Sequence, residues 1–193
     1  MNRFIFYCLL IFIMGFYSCK SNNSPAAIAS TVDTVKFLPI NDFILSDIKD
    51  VKNIPYFIYK IRTVNKKKDS TTFPTADFEK FAAPFLQYDI NKQPLKGQFK
   101  ETTFHDNTTK SNTFIYTPIN ADIAVRNITV LLDEATDKPK NIFIQINKQL
   151  NDTTVIERLQ WKPRKSFRIT KISQAKNFNE EESNYVSWND VIN

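Results

Sequence analysis

From Gln98 to Ile172, apolar and polar residues alternate in short runs, each ended by Asn, Asp, Pro or Lys. A period of two between turn residues marks β-strands with one buried face. Six strands are predicted, at Phe99–His105, Thr113–Thr117, Val125–Asp133, Asn141–Asn147, Thr153–Trp161 and Phe167–Ile172. The alternation is cleanest in the middle. Ile142, Ile144 and Ile146 face one way; Phe143, Gln145 and Asn147 face the other. Ile128, Val130 and Leu132 form a similar inward set, as do Val155, Leu159 and Trp161, with Glu157 the exception. Turns fall at Asp106-Asn107, Asp137-Lys138-Pro139, Asn151-Asp152 and Lys162-Pro163-Arg164. Asn and Asp tolerate the left-handed backbone that glycine usually supplies. Links this short join antiparallel neighbours, so the strands should form a meander.

Upstream, the period becomes helical. Asn41 or Asp42 is placed to cap a helix running to about Asn53, with Phe43, Ile44, Ile48 and Val51 at helical spacing and Pro55 ending it. Ile54–Val64 fits either one helical face or a strand; its Tyr, Ile, Thr and Val content favours the strand. That strand would turn at Asn65–Asp69 and return through Ser70–Phe73. Thr75–Gln87 is the strongest helix, capped by Thr75, with Phe78, Phe81, Ala82, Phe85 and Leu86 on one face. Pro84 should kink it. Asn177–Asn184, with Glu180-Glu181-Glu182, reads as an exposed loop, and Tyr185–Trp188 as a short closing strand at an edge. The expected fold is therefore α+β: N-terminal helices packed on one antiparallel meander sheet of about six or seven strands.

The start of the chain has another pattern. Met1-Asn2-Arg3 is followed by an unbroken 13-residue run, Phe4 to Phe16, and then by Tyr17-Ser18-Cys19. A charged start, a short apolar run and a small residue at the cut are the layout of a secretory signal peptide. The run is short for a membrane span, which needs about 20 apolar residues. Lys20–Asp33 has the Ser, Asn, Ala and Pro content of a linker.

Phe16-Tyr17-Ser18-Cys19 resembles the lipobox of bacterial lipoproteins. The resemblance covers residues 1–19 alone. It implies a diacylglycerol on the Cys19 thiol, cleavage after Ser18, and acylation of the new amine. Two or three acyl chains, at about 0.8 kcal/mol per buried CH₂, give a stable anchor. In that family an Asp after the cysteine favours the inner membrane; Lys20 stands here, which favours the periplasmic side of the outer membrane. The implied organisation is a signal peptide over 1–18, a lipidated Cys19 with a flexible tether over 19–33, and a single α+β domain over 34–193.

Composition narrows the chemistry. Gly15 and Gly97 are the only glycines, so the mature chain has neither a P-loop nor G-x-G-x-x-G. Cys8 and Cys19 are the only cysteines, which leaves the domain no disulfide and no thiolate metal site. The net charge of +6 is spread along the chain without a block of like charges, so a nucleic-acid partner is not expected.

His105, the single histidine, adjoins Asp106, but no second histidine and no G-x-S-x-G accompany it. Asp89, Glu101, Asp106, Asp133 and Glu157 are the acids available for a carboxylate pair, and none has a distinguishing context. No catalytic residue, cofactor or metal is expected. Arg158, Lys162, Arg164, Lys165 and Arg168 form a basic group around one hairpin and are the candidates for contact with an anionic partner. The expected function is a non-enzymatic binding or scaffolding domain on an envelope membrane, with an envelope protein, glycan or lipid as partner. The alternative is a carrier holding a lipid or another apolar ligand between sheet and helices.

Overall fold

The computed structural model describes residues 36–189. Cys19, the signal peptide 1–18 and the tether 19–33 lie outside the described residues. The described chain forms one nine-stranded antiparallel sheet and two helices. The strands are β1 (Tyr59–Val64), β2 (Lys67–Thr72), β3 (Phe99–Asp106), β4 (Ser111–Pro118) and β5 (Val125–Asp133). They continue with β6 (Pro139–Leu150), β7 (Thr153–Lys162), β8 (Ser166–Ala175) and β9 (Phe178–Ser187). The helices are α1 (Ile40–Asn53) and α2 (Thr75–Ala82), the latter followed by a 3-10 turn over Ala83–Leu86.

The sheet order is β2-β1-β9-β8-β7-β6-β5-β4-β3. From β3 to β9 it is the expected meander, every strand pairing with the next in sequence. The one departure is the β1–β2 hairpin, which joins the far side of β9 through β1. The sheet is open, with β2 and β3 at its edges.

Two expectations about architecture are corrected. The sheet has nine strands, not six or seven. The helices do not form an N-terminal block either, because the β1–β2 hairpin lies between them in the chain. The hairpin turns on two residues, Asn65 (φ 46) and Lys66 (φ 72), rather than five. Two consecutive left-handed residues match the twist of paired strands, so the chain can reverse at once.

The 177–184 loop and the edge strand at 185–188 are corrected as well, since Phe178–Ser187 is one continuous interior strand, β9, flanked by Asn177 and Trp188. Three successive glutamates argue against a strand only while their neighbours are ignored. In a strand they alternate between faces. Glu182 lies directly opposite Lys171 and accepts a 2.7 Å bond from Arg62 Nε on β1.

Both helix starts also differ from expectation. Pro39 and Pro74 occupy the cap positions, and neither makes a side-chain cap bond. Asn41 instead donates from Nδ2 to the carbonyl of Leu86, which ties α1 to the end of the 3-10 turn. Pro84 has no N–H to continue the α-helical ladder, and the helix tightens to the 3-10 turn from Ala83.

The core lies between the helices and one face of the sheet. Helix α1 buries Ile40, Ile44, Asp47, Ile48 and Val51, which is one face at 3.6 spacing. The sheet supplies Ile128, Val130, Ile142, Ile144, Ile146, Leu159 and Trp161, all buried on alternate positions as their period of two requires. Each fully buried side chain of this size contributes roughly 1.5–3 kcal/mol. Phe78 and Phe85, from α2 and the 3-10 turn, bring ring edges onto Trp161 and Phe167 at centroid distances of 5.0–6.4 Å. Trp161 and Phe167 stack on each other across β7 and β8 at 5.1 Å. This aromatic block fixes which face of the sheet the helices cover; among the described residues no helix lies on the opposite face.

Candidate functional site

The face opposite the described helices follows from strand register. Trp161 and Phe167 are directly opposite each other and face the helices, so their neighbours Gln160 and Arg168, also opposite each other, face away. Two adjacent rungs can be followed across this face. One runs Asn127, Gln145, Arg158, Thr170, Ser183 from β5 to β9. The next runs Thr129, Phe143, Gln160, Arg168, Tyr185 over the same strands. The two rungs hold two arginines, three carboxamides and two aromatic rings, and no carboxylate.

Between these rungs lies a depression of about 410 Å³, lined by residues that include Asn127, Phe143, Gln145, Arg158, Gln160 and Arg168. A second, of about 450 Å³, opens on the same face beside the β1–β2 turn, between Thr63, Lys66, Gln174 and Glu181. It is lined by charges of both signs, whereas the central one is purely cationic.

Arg158 lies opposite Thr170, two residues from Arg168, so the arginines are diagonal neighbours on adjacent strands. Such positions are about 7–8 Å apart. Both residues are exposed. Arg168 lies over the Tyr185 ring at 4.9 Å, an arrangement that steers the guanidinium by cation–π attraction. The Arg158 guanidinium has no hydrogen-bond or ion-pair partner among the described residues.

The five basic residues singled out from the sequence are therefore divided. Arg158 and Arg168 line the central depression, and Lys162 lies at its margin beside Arg168 and Tyr185. Arg164 and Lys165 form the β7–β8 turn, and that turn is drawn toward α1. The backbone N–H of Arg164 donates to Asp47 Oδ2 at 2.8 Å, and Trp161 Nε1 donates to the same oxygen at 2.7 Å. Sequence position grouped these cations; the buried Asp47 separates them. Burial pushes the Asp47 carboxyl above its ordinary value, against the lowering effect of the Trp161 and Arg164 bonds.

The residues considered for catalysis each have a local structural partner. His105 is on the edge strand β3, with Nδ1 3.0 Å from Asn112 Oδ1 and Nε2 3.3 Å from Glu134. Asp106 and Asp133 accept bonds from the backbone N–H groups of their own turns, at Thr108 and Ala135 among others. Those bonds, with the Thr109 and Thr136 hydroxyls first among them, hold both carboxyls below the usual carboxylate range. Glu157, the inward exception, pairs with Lys148 at 3.1 Å. Asp89 accepts from the Asn91 N–H and pairs with Lys92. Glu101 lies opposite the buried Tyr116. Among the described residues no group of three or more His, Cys, Asp or Glu side chains is placed to hold a metal ion. None of the described helices is long and apolar enough to cross a membrane.

The sequence reading missed the contributions of Asn127, Gln145, Gln160 and Phe143 to the central depression. The signal was present in the alternation itself, since each occupies an outward position of a strand whose inward positions are apolar. Comparison with protein-family models, with curated proteins and with solved structures found no match.

Proposed function

We propose that the chain is a lipid-anchored envelope protein, without enzymatic activity of its own, whose open sheet face binds a partner. The anchor is the acylated Cys19, with residues 20–33 as its tether, and the periplasmic side of the outer membrane is its place. The observation that carries the binding role is that, among the described residues, this sheet face is without a helix, Arg158 is without a partner, and the depression they border has no carboxylate in its lining. Helix-covered sheets bury one face for stability and leave the other available, and polar side chains in a recess are suited to recognition. The packing of Phe78, Phe85, Trp161 and Phe167 ring against ring favours this over the carrier alternative, in which an apolar ligand would need that space.

Two measurements test the reading. Cells fed labelled palmitate should incorporate it into the wild-type chain and not into Cys19→Ala; label on both, or on neither, contradicts the anchor. A photo-reactive residue at Gln145 should cross-link a partner in intact cells, while one at Leu45, exposed on α1, should not. Cross-linking from Leu45 alone contradicts the open-face assignment.

A further inference from the structure

We infer that the open face binds an acidic glycan, a chain of carboxylated sugars, along the central depression. This rests on the open-face reading above and names its ligand. The first support is electrostatic. Arg158 and Arg168 occupy diagonal positions on adjacent strands and line the same depression, so two like charges share one recess. No carboxylate on either rung offsets them. A ligand bearing carboxylates would, and the planar guanidinium fork matches a carboxylate with two parallel hydrogen bonds.

The second support is the rest of the lining. Asn127, Gln145 and Gln160 each present a donor and an acceptor from one planar amide, the complement of neighbouring sugar hydroxyls. Phe143 is opposite Gln160 and offers an apolar ring against which the C–H face of a sugar can lie. The combination of guanidinium, carboxamide and aromatic ring suits a ligand that is anionic, hydroxyl-rich and flat.

Two other anionic partners fit less well. An acidic peptide bound in extended form would add to a sheet edge through its backbone. The depression lies at mid-sheet, over β5 to β8, where backbone groups are already paired on both sides. A membrane surface presents headgroups in a plane and meets cations that project, whereas these arginines line a recess.

The test is titration calorimetry of the full mature chain in detergent micelles, at about 0.15 M salt so that non-specific attraction is screened. The probes are oligogalacturonate, its carboxyl-reduced neutral form, polyglutamate, and glycerophosphoglycerol as a soluble phospholipid headgroup. Oligogalacturonate should bind more tightly than the other three. Arg158→Ala and Arg168→Ala should each weaken it about tenfold or more. Gln160→Ala and Phe143→Ala should weaken it by smaller factors, and Lys165→Ala, in the turn, should leave it unchanged. Failure of oligogalacturonate to bind, undiminished binding by the Arg158→Ala/Arg168→Ala double variant, or equal or tighter binding of any of the other probes overturns the inference. Palmitate labelling at Cys19 does not depend on either arginine, so this result and that of the anchor are read separately.

Discussion

Asp47 on α1 and Trp161 on β7 are joined by a 2.7 Å hydrogen bond buried in the core, 114 residues apart in the chain. The same carboxylate oxygen holds the backbone of Arg164, so one side chain fixes both the seat of α1 and the course of the β7–β8 turn. Removing it leaves two donors without acceptors, one of them fully buried. Asp47→Ala is expected to lower stability by about 1–3 kcal/mol in urea unfolding. Asp47→Asn keeps an amide oxygen in place and should cost much less.

The same residue gives stability a pH dependence of definite sign. Its folded carboxyl titrates above the ordinary aspartate value of 3.8 because burial disfavours the charge. The folded state therefore binds the proton more tightly than the unfolded one. The resulting contribution is complete below 3.8 and is lost as pH rises through the raised value. Asp106, Asp133 and Glu182 are shifted downward and have the opposite slope, so their contributions are lost as pH falls through their lowered values. Unfolding curves taken from pH 4 upward should show the wild type losing stability relative to Asp47→Asn as pH rises, since the other three carboxyls are common to both.

The aromatic block should dominate the energetics of helix docking. Phe78 and Phe85 are fully buried, and each meets Trp161 and Phe167. Phe78→Ala or Phe85→Ala is expected to cost about 3–5 kcal/mol by denaturant unfolding. Leu45→Ala, on the exposed side of α1, should lie within about 0.5 kcal/mol of wild type.

The hairpin turn has room for improvement. Lys66 holds φ 72, a conformation that costs a residue with a Cβ roughly 1–2 kcal/mol. Lys66→Gly gives Asn-Gly, the preferred pair for this turn, and removes the strain while adding freedom to the unfolded chain. A net gain of about 0.5–1 kcal/mol is expected, read as a rise in melting temperature.

Much of the sheet was legible because burial and strand period coincide. Ile142, Ile144 and Ile146 alternate without exception, and β5 runs over the residues its pattern predicts, Val125–Asp133. Strand β9 was illegible for a reason of partnership. Glu180-Glu181-Glu182 becomes acceptable in a strand only beside Arg62 and Lys171, which are distant in sequence. The helix starts were misread because Asn41 and Thr75 are good caps in isolation, while tertiary contacts set the entry of the chain through Pro39 and Pro74.

The site was legible in part. Arg158 and Lys162 share a face by their spacing, and Arg168 joins them by register, which follows from the tight β7–β8 turn. That Arg164 leaves the group depends on Asp47, an acid in a helix whose burial no local pattern announces.

The most direct test of a lipid-anchored binding domain is the intact mass of the mature protein extracted from membranes. A chain beginning at Cys19 and carrying the added mass of a diacylglycerol, with or without a further acyl group on its amine, is the predicted result. A chain that retains residues 1–18, or one that begins at Cys19 without acyl modification, contradicts it.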